Sequence, residues 1–283
     1  MTADHSGGGG ANSETELSDS LKTFGAVLKA LREQAGLTQE DFAVRVRYSA
    51  AYVAKIEQGK RFPPADLPSR TEEVLGPVAV KVLGAAARSL TRRAGLASWF
   101  RQWAGIEEEA ISLYAYECRA VPGLLQPEGY IRAIFDRQIP PLSEEQFERQ
   151  VAARQERQRL LDERPNTAFS FLIEQAVLER RLGGTEVARE VVNNLLEQGS
   201  RRNVEILIMP LRQEDHSGVD GQMYLAERDN HQWVGYVEGH DSSTLLAHPK
   251  LVSSMLQRYG KMRSQALSHM ATVDLLRKMQ GAL

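Results

Sequence analysis

The sequence predicts a multidomain chain: an all-α N-terminal helix-turn-helix domain of four to five helices, then a larger α+β, mostly helical domain with about four strands. Three observations carry this. Between Leu17 and Leu75 apolar residues recur at helical spacing in short, capped segments. After Pro165 the pattern changes to short runs of alternating aromatic and β-branched residues. The length, 283 residues with 42% hydrophobic, suits about two domains of roughly 100–200 residues each. The expected boundaries are a disordered Gly/Ser tail at 1–16, the helical domain at 17–75, a helical linker at 76–96 and the α+β domain at 97–283.

In the first domain Phe24, Val27, Leu28 and Leu31 mark one face of a helix that Gly36 ends. Thr38 caps a second helix in a partial capping box with Asp41, and Phe42, Ala43 and Val46 form its inner face. Ser49 caps a third, with Tyr52, Val53 and Ile56 at helical spacing and Gly59 as its stop. Pro63-Pro64 breaks the chain before a further helix from Asp66 to Leu75.

The stretch from Val78 to Tyr116 reads as helical, with Trp99, Phe100, Trp103, Ile106, Ile111 and Leu113 as its large apolar groups. A turn-bearing segment follows at Val121–Gln126, then a helix with Tyr130, Ile131 and Ile134. Ser143 and Gln146 form a capping box for a long charged helix that Pro165 stops. Strands are expected at Phe169–Ile173, Val204–Ile208, Met223–Glu227 and Gln232–Glu238, the last two joined by a hairpin turn at Arg228–His231. Helices lie near Glu174–Leu182 and Thr185–Gln198, and two more close the chain at Pro249–Ser264 and His269–Met279.

Charge is unevenly shared. From Leu17 to Arg70 nine basic residues face six acidic ones, so that segment is +3 and the remainder −5, for a net −2. A mildly basic head on an acidic body fits a phosphate-contacting module joined to a part that does not touch nucleic acid. One cysteine, Cys118, excludes an intramolecular disulfide and reads as a packed side chain. The N-terminus has no apolar core of a signal peptide, and the most apolar stretch, Val74–Ala87, is broken by Pro77 and Lys81, short of the ~20 residues a membrane span needs. A soluble, cytoplasmic protein without a membrane partner is expected.

The spacing of the second and third helices points to double-stranded DNA. A link of two or three residues holds two short helices at roughly 90–120° and leaves the outer face of the later one free for a major groove. That face carries Ala50, Ala51, Ala54 and Lys55. Gln39 can hydrogen-bond a phosphate or brace the third helix. Lys60 and Arg61 follow that helix, within reach of the backbone. The segments Leu37–Ala43 and Ser49–Gly59 resemble the Xre (Cro/repressor-type) family over some forty residues. Two departures stand out. Arg47 occupies the turn where the family places glycine, and must adopt a conformation glycine takes freely or supply a phosphate contact. Ala50 and Ala51 stand at base-reading positions, where alanine reads only a thymine methyl. Direct readout then falls to Lys55, Ser49 and Tyr52, the last of which serves packing or DNA contact. Modest specificity from one head implies a homodimer on half-sites ~34 Å apart, with DNA shape adding to it.

From Trp103 onward a second resemblance builds: Tyr116-Glu117, Pro122-Gly123-Leu124-Leu125-Gln126 with Tyr130, Arg154–Arg157, Glu174–Leu178, Val204–Ile206 through Met209-Pro210, and Tyr236-Val237-Glu238. Together they are similar to the body of WhiJ-like actinobacterial regulators. That resemblance implies a body that binds a small protein encoded nearby or a small ligand. Cys118 replaces a usual proline. An enzyme is not expected, nor a cofactor or metal: Asp215-His216, His231, Glu238, His240, Asp241 and His248 match no ligand spacing, and the histidines read as solvated loop residues. Glu238, at a strand end, is the one candidate to face a pocket. Two other readings remain open, an antitoxin-like interaction protein whose DNA binding autoregulates its operon, and an enzyme with a DNA-binding head.

Overall fold

The structure, a computed structural model, describes residues 9–64, 66–94, 98–239 and 243–283. The chain divides into two compact units, Met1–Ser98 and Trp99–Leu283.

The head contains α1 (Gly9–Gln34), α2 (Gln39–Val46), α3 (Ala50–Glu57), α4 (Leu67–Arg70) and α5 (Glu72–Ala94). Local chemistry sets the starts of α2 and α3. The Thr38 hydroxyl accepts from the Asp41 amide at 3.1 Å, and Ser49 accepts from the Tyr52 amide at 3.2 Å. Phe24 and Leu28 of α1, Phe42 and Val46 of α2, and Val53 and Ile56 of α3 close the core. Gly25 lets α1 rest on the end of α3, since a Cβ there would lie 2.4 Å from the Glu57 carbonyl oxygen. Sequence periodicity carries no signal of that approach.

Two expectations for the head need correction. Residues 9–16 are helical backbone, not part of a tail. Extending a helix already anchored by Phe24 and Leu28 fixes one residue per hydrogen bond, which is far easier than nucleating one. Residues 76–94 are not a linker. α5 breaks at Gly76 (φ 80°, ψ 171°), and beyond it Leu83 and Leu90, seven residues apart on one face, complete the head core.

The body contains α6 (Ser98–Glu109), β1 (Ser112–Glu117), a 3-10 turn (Gly123–Leu125), α7 (Glu128–Phe135), α8 (Glu144–Gln158) and α9 (Leu160–Glu163). Then come β2 (Ala168–Glu174), α10 (Gln175–Glu179), α11 (Thr185–Gln198), β3 (Val204–Met209), β4 (Met223–Glu227), β5 (Trp233–Glu238) and β6 (Ser243–Leu246), closed by α12 (Pro249–Gln265) and α13 (His269–Ala282). One sheet runs β3-β2-β1-β4-β5-β6. β3, β2 and β1 are parallel, and β4, β5 and β6 continue antiparallel from β1.

The sheet is buried on both faces. Leu113, Phe171, Ile206, Ala226 and Tyr236 point to one, with Trp103, Leu195 and Leu276. Tyr116, Leu172, Leu207, Met223 and Leu225 point to the other, against Val252, Met255, Tyr259 and Met262 of α12. The four expected strands are present, and the sheet has two more. β1 lies in a stretch read as helix: Leu-Tyr-Ala-Tyr is apolar on both faces, so it lacks the alternation of a half-buried strand. β6, four residues at the sheet edge, is too short to leave a pattern.

Candidate nucleic-acid interface

α2 and α3 are joined by Arg47, Tyr48 and Ser49. Arg47 takes the left-handed conformation (φ 61°, ψ 41°), its amide donating to the Ala43 and Val44 carbonyls while its side chain is exposed. An arginine thus adopts the turn that favours glycine, and its guanidinium stays available.

A buried ion pair fixes α3. Arg32 of α1 donates from Nε to Glu57 Oε1 at 2.6 Å, from Nη2 to Oε2 at 3.1 Å, and from Nη1 to the Leu37 carbonyl at 2.6 Å. Both side chains are nearly inaccessible, and the Glu57 hydrogen bonds raise the Arg32 pKa. Gln39 donates to Glu57 Oε2 at 2.6 Å, so it is spent as a brace in this structure. Arg32, one of the nine basic residues between Leu17 and Arg70, belongs to the interior.

Outward, Ala51 and Lys55 of α3 are exposed and Ala50 and Ala54 half-buried. Tyr52 is in packing: its ring stacks on Tyr48 at 5.1 Å, and the Arg61 guanidinium lies 4.2 Å over its other face. Tyr48 bonds Asp66, which also takes Arg70 at 2.7 Å, and Arg70 lies over the Tyr48 ring. Burial, then the Asp66 carboxylate, pushes the Tyr48 hydroxyl up to about 12. Ser49 Oγ accepts the cap bond, leaving its hydroxyl proton. Arg45, Arg47, Lys55, Lys60 and Arg61 are exposed and have no carboxylate partner among the described residues. Five unneutralised cations around a rigidly braced α3 form a surface suited to phosphates.

In the body the Pro122–Gln126 segment works as a clasp. Gln126 donates to the Val121 carbonyl and accepts from Arg154, both at 2.6 Å. The Val121 amide donates to the Tyr130 hydroxyl at 3.1 Å. Gln158 donates to the Gly123 and Gln126 carbonyls, and Asn194 to that of Leu125. Leu124 and Leu125 are core, and Pro122 is buried. Gly123 faces two guanidiniums: a Cβ would lie 2.3 Å from Arg157 Nη2 and 3.3 Å from Arg154 Nη1. Arg157 stands 3.1 Å from Glu107, off line for a hydrogen bond, and Trp103 donates to Glu107 at 2.8 Å. Burial raises the Glu107 pKa.

Glu238 ends β5, accepts from Arg119 at 3.4 Å and Tyr236 at 3.3 Å, and is half-buried. Near it Glu117, at the end of β1, accepts the Tyr224 hydroxyl, and burial pushes it up to about 7. His216 corrects the reading of solvated histidines. Its Nε2 lies 2.8 Å from Glu174, which also accepts from Tyr116 at 2.8 Å, and its Nδ1 accepts the Gly218 amide. The Gly218 bond leaves Nε2 as the proton donor. His231 is the solvated turn residue expected, in the β4–β5 hairpin. His240 and Asp241 lie outside the described residues. No group of three or more His, Cys, Asp or Glu among the described residues is placed to hold a metal. No described helix is long and apolar enough to cross a membrane.

Two family models match the chain. One, described as a helix-turn-helix domain, covers residues 23–74. The other, a domain of unknown function designated DUF5753, covers residues 100–278. No curated protein and no solved structure matches.

Proposed function

This chain belongs to the DUF5753 family, and on that premise we propose that it is a cytoplasmic, sequence-specific transcriptional regulator of the Xre type, WhiJ-like in its body. The head reads the major groove, and the body binds a small protein partner or ligand. It acts by binding, not catalysis, and as a homodimer.

The observation that supports this best is the exposed cation set. Lys55 on α3 is exposed, and Arg45, Arg47, Lys60 and Arg61 are exposed as well, all without carboxylate partners among the described residues. The Arg32–Glu57 brace holds α3 so that these groups meet DNA at fixed register, with little ordering cost on binding. The size of the body supports a second binding function, since some 180 residues exceed what dimerisation requires.

The test is selection of genomic fragments by the full-length protein at ~150 mM salt, followed by footprinting. A short palindrome protected on one face, with half-sites about one helical turn apart, is the expected result. Retention of random fragments that disappears as salt rises would reject sequence-specific reading by the head.

A further inference from the structure

Across the three parallel strands of the body, register aligns Tyr114 of β1, Ser170 of β2 and Glu205 of β3 in one row. That row faces α12. Tyr114 stacks on Tyr259 of α12 at 5.1 Å, and the Tyr259 hydroxyl donates to the Ser170 carbonyl at 2.9 Å. Towards the amino ends of the strands a cavity of about 370 Å³ lies between this row and the later half of α12. Ligand pockets occupy roughly 300–1,000 Å³, so the space suits a small molecule.

Three charged side chains line the cavity: Arg202, Glu205 and Arg263. Glu205 is already engaged, accepting from Arg263 Nη2 at 2.6 Å and from Ser170 Oγ at 2.7 Å. Arg202 is exposed, and its side chain has no ion pair or hydrogen bond among the described residues. Two guanidiniums thus meet one carboxylate, and the lining keeps one unmatched positive charge. Leu256, Ala168 and the Tyr114 and Tyr259 rings supply its apolar part. Two small residues keep the space open. Ala168 is exposed near the start of β2, and a Cβ on Gly260 of α12 would meet no atom within 4 Å.

We propose that this cavity binds a small monocarboxylate with an apolar body, its anion on the Arg202 guanidinium and its body against Leu256, Ala168 and Tyr114. The proposal rests on the reading of the body as a ligand-binding half and names its ligand class. A guanidinium meets a carboxylate in two parallel hydrogen bonds, and Arg202 has its donors unspent. A cationic ligand would face both guanidiniums, with only a carboxylate already bonded to Arg263 and Ser170 to receive it. Glu205 in turn opposes a second negative charge on the ligand.

The test is calorimetry and ligand-observed NMR titration of the full-length protein, without DNA. Octanoate and 2-naphthoate are the probes, and octylammonium is the control of opposite charge. Saturable binding of at least one carboxylate, and none of octylammonium, is expected. Arg202→Gln alters a side chain that nothing in the fold depends on and should weaken binding at least tenfold. Ala168→Leu fills the cavity without changing charge and should weaken it as much. Arg212→Gln, exposed and outside the cavity, should leave it unchanged. No saturable binding of either carboxylate up to ~10 mM, or equal binding of octylammonium, overturns the ligand class. Carboxylate binding indifferent to Arg202→Gln or to Ala168→Leu, or weakened equally by Arg212→Gln, overturns the site and leaves the body a ligand-binding half. Fragment retention by the head is measured separately, so neither result decides the other.

Discussion

The head buries Arg32 against Glu57, and the body buries Arg157 against Glu107, yet the two interiors are built differently. In the head all three Arg32 nitrogens donate, and both Glu57 oxygens accept. In the body Arg157 Nε and Glu107 Oε2 stand 3.1 Å apart without a hydrogen bond, and Arg154 Nε beside them has no partner. A closed network specifies one geometry and has nothing left to offer a ligand. An open one costs stability and keeps donors in reserve. The head's interior therefore serves the orientation of α3, while the body's interior leaves Arg154 Nε, Arg157 Nε and Glu107 Oε2 buried without a hydrogen bond among the described residues.

The largest effect should come from breaking the closed network. Glu57→Ala strands the Arg32 guanidinium and the Gln39 amide, and removing one partner of a buried pair costs ~3–5 kcal/mol. All three tryptophans (Trp99, Trp103, Trp233) belong to the body unit. Denaturant unfolding of the variant should lose helical circular dichroism early while tryptophan fluorescence reports an unmoved body transition. A loss below ~1 kcal/mol would place the pair among exposed ion pairs and break the comparison.

The open network should show in pH dependence. Glu117 is raised by burial from 4.5 to about 7, so the folded state holds its proton more tightly than the unfolded chain. Its favourable contribution is complete below about 4.5 and is lost as pH rises to about 7. At 1.36 kcal/mol per unit the loss is of order 3 kcal/mol. Tyr224, Arg119 and Glu238 act on the same group and modulate that figure. Body stability should fall between pH 5 and 7, within the window those values set, and Glu117→Gln should flatten the fall. An equal slope in wild type and variant would assign the pH dependence to other groups.

For the head's outer face the effect is smaller and is read on DNA. Lys55→Ala should cost ~1–3 kcal/mol on the selected sequence and relax preference at one base position. A loss equal on all sequences would make Lys55 a phosphate contact and leave base reading to Ser49.

What the sequence disclosed follows the same division. The caps Thr38 and Ser49 and the core of Phe42, Val53 and Ile56 act through local spacing, so the head was legible down to single residues. The contacts that lock it, Arg32 to Glu57 and Gly25 beneath α3, join residues 25 or more apart and leave no periodic trace. In the body, strands with a polar face or a β-branched run were legible, and β1, buried on both faces, was not. Pro122–Gln126 was visible as a motif, but its role lies in bonds to Arg154, Gln158 and Asn194, which only the fold brings together.

Arg47 gives the smallest and most discriminating test, because it sets local strain against electrostatic use. Its left-handed backbone carries a penalty of ~1 kcal/mol that glycine avoids. Arg47→Gly should therefore stabilise the head slightly, by less than that penalty, since glycine also gains unfolded-state entropy. If the guanidinium contacts a phosphate, the same variant should lose affinity on every sequence and reduce the salt slope by about one unit. The expected outcome is both together, a more stable head that binds DNA less tightly. Such a result would show local strain retained at a turn for the sake of a contact outside the protein. A stability gain with an unchanged slope would leave Arg47 as a turn residue alone, and confine the interface to α3, Lys60 and Arg61.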